Sequence, residues 1–427
     1  MEIVQLVFWV LGVVFGLIYA YQALFMLVGL LGKKKTYPDA KEDHTFAIVI
    51  SARNEEKVIG NLIDSIQKND YPQDKLQIFV VADNCDDKTA EICREKGCVV
   101  YERFNKDQIG KGYALHFLFE HISKDFPDYE PDAFMVFDAD NVLSTNYIKE
   151  MNKALDSGVK VCTSFRNSKN FGTNWLSAGA SLGFMRECKF IHKPKQLLNL
   201  STHVSGTGFY VSKEVLTFKQ GWRYFTLTED LEFSASSTIK NVKIGYCEDA
   251  EFFDEQPYKF KQTWRQRLRW SKGSLMGFSL FHSTLCLNFL KTFNFSYYDY
   301  YFSRFFPVGL WYGFSFIATN IVSLVARLLE VANTGIIKNV FYYLSPLLIA
   351  LLTTYLGMFV DGFLATVTHW KKIKAPARKK IAYMFTYPIF STIFQIPTVF
   401  VALFKKVKWD PIEHTQDITQ EQLDSIK

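Results

Sequence analysis

The sequence predicts an α/β domain built on a mostly parallel sheet and flanked by α-helical transmembrane segments. Three observations carry this expectation. Between about Thr45 and Asp254, short β-rich runs alternate with helical patterns, the order of βαβ units. On either side lie charge-free stretches, Ile3–Gly32, Phe305–Ala326, Val340–Val360 and Ile381–Phe404, each reaching the roughly 20 apolar residues a membrane span needs. The mean hydropathy of the whole chain is -0.00, which fits a greasy soluble protein or a polar domain averaged with membrane spans. The 40 Phe and 22 Tyr lean toward the second. At 427 residues the chain exceeds one ordinary domain, and 48% hydrophobic against 22% charged residues excludes a disordered, collagenous or coiled-coil protein. A net charge of +6 is too small to argue for nucleic acid by itself.

The elements follow in order. Ile3–Gly32 carries no charge and runs into Lys33, Lys34 and Lys35. A cleaved signal peptide would want a basic start and a small-residue cleavage site, so an anchor with its amino-terminus outside is expected from the positive-inside rule. In the α/β stretch the strand and helix pairs are Phe46–Ser51 with Glu55–Lys68, Leu76–Ala82 with Asp87–Lys96, Cys98–Arg103 with Gly110–His121, and Ala133–Phe137 with Thr145–Asp156. Near-continuous apolar runs such as Ala47-Ile48-Val49-Ile50 suit strands covered on both faces. In the last third, the basic run from Lys371 to Lys380 marks a cytoplasmic loop. If Phe305–Ala326 exits and Val340–Val360 returns, that loop lies inside. Ile381–Phe404 then conflicts with the rule, because a further crossing leaves Lys405, Lys406 and Lys408 outside. Pro388 and Pro397 interrupt it, so a re-entrant or interfacial element is the alternative. The expected organisation is an anchor over 1–43, a catalytic domain over 44–256, interfacial helices over 257–295, membrane or interfacial helices over 296–404 and a polar tail over 405–427. The seven cysteines form no CxxC and match no zinc spacing, which fits a reduced compartment.

Four short clusters carry chemistry, and each has a bland reading beside the sharp one. Asp83-Asn84-Cys85-Asp86-Asp87 follows an apolar strand, where a carboxylate can accept from base N–H groups and ribose hydroxyls; the alternative is an Asx turn capping the next helix. Asp138-Ala139-Asp140 also ends a strand, and two carboxylates flanking one residue suit Mg²⁺ or Mn²⁺ carrying phosphate oxygens. Thr228-Glu229-Asp230 opens a helical stretch, so its carboxylates are either first-turn charges or a general base. In Gln266-Arg267-Leu268-Arg269-Trp270 the bland reading is a basic interfacial helix with aromatic anchors. The sharp one is Arg on a departing diphosphate and Trp under a sugar face. The small-residue turns Gly110-Lys111-Gly112 and Ser205-Gly206-Thr207-Gly208 allow close backbone approach, but neither matches a phosphate loop or a dinucleotide fingerprint.

In this order the clusters resemble the membrane-integrated family 2 glycosyltransferases, the group of cellulose, chitin and hyaluronan synthases and many bacterial polysaccharide synthases. The match runs from about Phe46 to Lys272. The resemblance implies a GT-A fold, an inverting mechanism, and a nucleotide-diphospho-sugar donor, with UDP the expected nucleotide, held by Mg²⁺ or Mn²⁺. It implies Ala52 and Glu55 at the first-strand turn, Asp83, Lys111, Asp138, Gln266 and Arg269 on the donor. It makes Asp138 and Asp140 the metal pair, Asp140 the more direct ligand, Asp230 the catalytic base, and Glu229 and Trp270 acceptor-binding. Two departures stand out: Asp86-Asp87 replaces a small-residue turn, and Val204–Gly208 lacks the cysteine of the cellulose-forming members.

The function expected from this set is transfer of a sugar to a growing polysaccharide, processive and coupled to export through the chain's own membrane segments. The alternative is addition of one sugar to a membrane lipid carrier or glycolipid, since a channel needs enough helices to enclose it. A catalytically dead sugar-nucleotide sensor is opposed by the intact set Asp83, Asp140, Asp230 and Arg269. Expected partners are the nucleotide sugar, a carbohydrate or lipid-linked acceptor and membrane lipids, with no nucleic acid. The expected location is the plasma membrane with the catalytic domain cytoplasmic.

Overall fold

The computed structural model describes residues 2–305, 308–334 and 340–426. The chain runs α1 (Glu2–Leu31), β1 (Phe46–Ala52), α2 (Ile59–Gln67), β2 (Leu76–Asp83), α3 (Thr89–Glu95), β3 (Val99–Arg103), α4 (Lys111–Asp125), β4 (Ala133–Asp138), β5 (Val142–Leu143), α5 (Tyr147–Asp156) and β6 (Val161–Ser168). It continues through α6 (Trp175–Glu187), α7 (Lys193–Leu197), β7 (Phe209–Ser212), α8 (Glu229–Ile239), β8 (Ile244–Asp254), α9 (Phe260–Thr292) and α10 (Phe295–Tyr300). The last elements are α11 (Val308–Thr334), α12 (Val340–Thr368), α13 (Ala377–Phe404) and α14 (Gln420–Ser425).

The strands form one sheet of order β3-β2-β1-β4-β7-β6-β8-β5. β1 pairs in parallel with β2 and β4, β2 with β3, and β6 with β8, whereas β7 and β5 pair antiparallel to their neighbours. The sheet is therefore mixed and mostly parallel, as expected. Successive residues of a strand face opposite sides, so β1 feeds two cores. Ile48 and Ile50 pack with Leu62, Ile66 and Met151 from α2 and α5. Ala47 and Val49 pack with Leu115, Leu118 and Phe119 from α4. Burial on both faces accounts for the unbroken apolar run.

Gly12–Leu31, Val340–Thr368 and Ala377–Phe404 are long and apolar enough to cross a membrane. Leu6, Val10, Val13, Val14 and Leu17 of α1 are exposed, as are Leu347, Leu348, Leu351 and Leu352 of α12. At its other end α1 is seated on the α/β unit, with Phe25 buried and Lys34 paired with Asp249. The expected span Phe305–Ala326 starts in the turn Tyr301–Phe305, passes residues 306 and 307, which lie outside the described ones, and enters α11.

The third apolar helix behaves differently. Before α13, Lys372 pairs with Glu251 at 3.1 Å and Lys379 donates to the Gly172 carbonyl at 2.5 Å. After it, Trp409 covers Arg53 at 5.2 Å and Leu423 is buried against Val142 and Phe253. Along it, Tyr387, Phe390, Phe394, Thr398 and Ala402 are buried, a spacing of three and four that makes one helical face. Phe390 and Phe394 pack on Leu176 and Ala180 of α6, and Lys272 of α9 donates to the Ala402 carbonyl at 3.0 Å. The opposite face, with Phe385 and Ile389, is exposed. Both ends of α13 and one of its faces therefore contact the α/β unit and the helices α6 and α9.

Candidate active site

The carboxyl ends of β1, β2 and β4 open onto a cavity of about 790 Å³, the place where open α/β sheets bind ligands. Its walls include Asp83, Lys111, Asp138, Asp140, Glu229, Asp230, Gln266, Arg269 and Trp270, so nine of the side chains singled out in the sequence converge on one space. Glu55 joins them. Ala52 does not: it is buried at the end of β1, its carbonyl accepts from the Cys85 thiol at 3.6 Å, and its neighbours Ser51 and Arg53 line the cavity instead.

Asp83 is buried, and its Oδ1 accepts from the Arg103 guanidinium at 2.6 Å. Arg103, the last residue of β3, thereby fixes the carboxylate at the strand end. Asp87 accepts from the Thr89 N–H at 3.0 Å and from the Glu56 N–H at 3.1 Å. The capping reading therefore applies to Asp87, while Asp83 faces the cavity.

The two acidic residues after β4 have separate surroundings. Asp138 accepts from Lys111 Nζ at 2.5 Å, and the same ammonium donates to the Gly206 carbonyl at 2.7 Å. Asp140 is buried and accepts the Glu255 N–H at 2.8 Å. Its Oδ2 lies 4.0 Å from Nε2 of His414, whose Nδ1 bonds Glu55 at 2.9 Å. His414 reaches this position because the polar tail folds back over the cavity. The N–H groups of Thr415 and Gln416 donate to Glu255 at 2.9 Å each. Burial opposes ionisation of Asp140, but His414, Lys169 and the Glu255 N–H hold its carboxyl below the usual range. Burial likewise opposes charge on His414, and the facing Asp140, Glu55 and Glu255 overrule it, pushing the imidazole up to about 10.

The carboxylates of Glu229 and Asp230 stand in the first turn of α8, with Thr228 as the cap residue. The structural task at this helix start falls to Glu232, which accepts the N–H groups of Phe225 and Thr226 at 2.9 and 2.8 Å. Asp230 Oδ2 packs over Gly206, where an added Cβ would sit 3.7 Å away and where φ is +81°, so this approach favours glycine. Burial raises both carboxyls; Glu229, also beside Asp230, is pushed up to about 7. Lys111 and Arg269 act in the opposite direction on both.

Helix α9 supplies the third wall. Gln266 Oε1 is buried without a partner among the described residues, and Arg269 makes one long contact, to the Leu227 carbonyl at 3.5 Å. Gly273 brings α9 against Thr228, leaving no room for a Cβ, which sets Arg269 beside the start of α8. Past Trp270 the cavity continues between Tyr19 and Gln22 of α1, Phe302, and Tyr387, Phe394 and Thr398 of α13. A cluster with metal-binding composition, Glu187, His192 and His203, borders this extension. There the cation is a guanidinium, because Arg304 pairs with Glu187 and lies 3.2 Å from His203.

Sequence reasoning missed Arg103, Glu255, Trp409 and His414. Glu55 and His414 are 359 residues apart, and no local pattern signals such a pairing.

Comparison with known proteins agrees with this architecture. The model of the family described as glycosyltransferase like family 2 matches residues 44–273. The probable glycosyltransferase YdaM of Bacillus subtilis is 25% identical over 257 residues, 55% of this chain and 56% of that protein. The beta-monoglucosyldiacylglycerol synthase of Synechocystis is 22% identical over 245 residues, 56% of this chain and 50% of that protein. The chain thus spans about half the length of these curated relatives. The fold is similar to that of the mannosyltransferase PcManGT from Pyrobaculum calidifontis, solved in complex with GDP-Man and Mn²⁺, with a TM-score of 0.51 at 14% identity over 90% of this chain and 96% of that one. With a GT-A fold, apolar helices suited to a membrane and a family match over more than half its length, the chain belongs to the family 2 glycosyltransferases, enzymes that transfer a sugar.

Proposed function

We propose that this protein is an inverting glycosyltransferase that moves one sugar from a nucleotide-diphospho-sugar to a membrane-embedded lipid or glycolipid acceptor. The observation that carries the reading is the continuity of the cavity, from the Asp83 and Asp140 end to the α1 and α13 walls beside the apolar helices. A donor enters from the α/β side, and an acceptor reaches the same space from the membrane. The synthase and mannosyltransferase resemblances support both halves. Processive polymer synthesis is the second reading, favoured by the Gln266–Trp270 motif. Against it, Gly12–Leu31, Val340–Thr368 and Ala377–Phe404 are few helices to enclose a polymer. Labelled donor incubated with isolated membranes discriminates them: one glycolipid product is expected, and a size ladder would replace this reading with the processive one. The basic segments Lys33–Lys35 and Lys371–Lys380, both on the side of the α/β unit, support a cytoplasmic orientation.

On the donor side, Asp83 accepts from the base, Lys111 and Asp138 border the diphosphate, and Gln266 and Arg269 receive it as it leaves. The chemistry around Asp140 fits a hard divalent ion: carboxylate oxygen and imidazole nitrogen face each other across the cavity, with Glu55 and Glu255 adjacent. Asp140, with Asp138 nearby, would hold Mg²⁺ or Mn²⁺, and His414 would join them once the ion displaces its proton. Such an ion supplies Lewis-acid stabilisation of negative charge on the leaving diphosphate. Asp230 takes the proton of the acceptor hydroxyl as it attacks the anomeric carbon from the face opposite the diphosphate. Glu229 and Trp270 hold the acceptor sugar. A single displacement needs one base and no enzymic nucleophile.

Two adjacent carboxylates titrate as a pair. Because burial raises the Asp230 carboxyl above the ordinary carboxylate range, activity should fall on the acid side as the base takes up its proton, at a higher pH than for a free carboxylate. Glu229→Gln should move the acid limb of kcat to lower pH, since one fewer buried carboxylate then opposes ionisation of Asp230. A pH–rate profile with an unmoved limb would separate Glu229 from the base.

A further inference from the structure

Among the described residues, Arg166, Arg186 and Arg304 on the cavity wall each pair with a carboxylate. Arg166 donates to Asp254 at 2.6 Å, Arg186 to Asp361 at 2.7 Å, and Arg304 pairs with Glu187. Arg267 has no such partner. Among the described residues it makes no hydrogen bond or ion pair, and its Nε is buried and unsatisfied. Its guanidinium lies over two rings, 4.5 Å from the centre of Trp270 and 5.3 Å from that of Phe390. Burial pushes it down to about 10, so it stays charged at neutral pH. Aromatic faces attract a cation but offer it no anion, and Arg267, of intermediate exposure, lines the cavity with its charge uncompensated. The carboxylates on this wall, Asp254, Asp361 and Glu187, are already engaged.

Arg267 and Arg269 are two residues apart on α9, about 200° around the helix. Arg269 acts on Glu229 and Asp230 together with Lys111, whereas Arg267 points to the α13 side, where Phe390 and Tyr387 are its neighbours. The surplus charge therefore lies beyond the reacting hydroxyl, along the path to the membrane, with Trp270 one turn away on the same helix. A guanidinium fork suits a phosphate, which it can bind through two parallel hydrogen bonds. We propose that Arg267 is the anion-binding residue of the acceptor path, and that the acceptor is a phosphate-bearing glycolipid. Its sugar lies at Trp270 with the attacking hydroxyl toward Asp230, and its phosphate, between sugar and lipid, pairs with Arg267. This assignment rests on the glycosyl-transfer reading of the cavity and narrows its acceptor class.

The test is binding of two lipids with the same sugar to the purified full chain in detergent, glucosyl-phosphoryl-undecaprenol and glucosyl-diacylglycerol, followed by native mass spectrometry. The phosphate-bearing lipid should bind the wild type at least 10-fold more tightly, a ratio expected from a charge-assisted pair. Arg267→Met, which keeps the stem against Trp270, should bring the ratio to about 1, and Arg267→Lys should leave an intermediate value. Because the ratio is taken on one preparation, a loss of folded protein cancels from it. A wild-type ratio near 1, or a ratio that survives Arg267→Met, overturns the proposal. So does inorganic phosphate binding as tightly as the phospholipid-linked sugar and losing that affinity in Arg267→Met, which would make this a free-phosphate site. Turnover of labelled nucleotide sugars by the same preparation tests the underlying reading separately. No turnover with the ratio intact would remove glycosyl transfer and leave an anionic-lipid site.

Discussion

Asp230→Asn is expected to lower sugar transfer by about 10³-fold, within the range for loss of a positioned general base, while the Kd for the nucleotide sugar stays within about twofold. The substitution keeps the shape of the side chain that packs over Gly206 and removes its capacity to take a proton. Glu229 is poorly placed to substitute. It is 7% exposed against the intermediate exposure of Asp230. Single-turnover transfer with labelled donor gives the rate, and calorimetry on the same sample gives donor binding. Wild-type transfer by Asp230→Asn would sink the base assignment. Loss of donor binding would move Asp230 to the donor side.

His414→Ala should weaken Mn²⁺ binding at least tenfold and lower transfer with it, since one of the two groups facing each other at 4.0 Å is removed. The size is that of losing a ligand or its immediate support in a metal site. Trp409→Ala should act less strongly, because it removes only the cover over Arg53 and leaves Thr415 and Gln416 bonded to Glu255. Electron paramagnetic resonance of bound Mn²⁺ reads this directly, without turnover. Equal affinity in wild type and His414→Ala would assign the ion to Asp138 and Asp140 alone.

The half of the fold built from local runs was legible in the sequence. The expected strands Phe46–Ser51, Leu76–Ala82 and Ala133–Phe137 each gain a single residue in the structure, because burial on both faces writes a continuous apolar run. The helices begin later than their patterns suggest. Glu55 and Glu56 were expected inside the first helix, yet α2 starts at Ile59. Their N–H groups go across the cavity rim instead, to Thr89 Oγ1 at 2.8 Å and to Asp87. The far half of the sheet was not legible, because β6, β7 and β8 are defined by pairing with strands distant in sequence. The site divides in the same way. Asp83, Asp138, Asp140 and Asp230 could be read because each ends, follows or opens a recognisable element, and Arg269 because of the motif Gln266–Trp270. Arg103 and His414 could not, since their roles arise from contacts across 20 and 359 residues.

The returning tail bears on how the protein is made. Residues 409–416 follow the apolar helices α1, α11, α12 and α13 in the chain, and they carry the histidine that faces Asp140. During synthesis, the α/β unit can fold with its strand ends complete while those residues are still in the ribosome. Glu55, Asp140 and Glu255 then stand together without the imidazolium that balances them, and the cavity roof is open. A contact closed across such a sequence distance forms late, after the loop entropy of the intervening chain has been overcome. Closure of the cavity roof is thereby coupled to seating of α13, so a chain interrupted before that step lacks the contacts of His414 with Glu55 and Asp140.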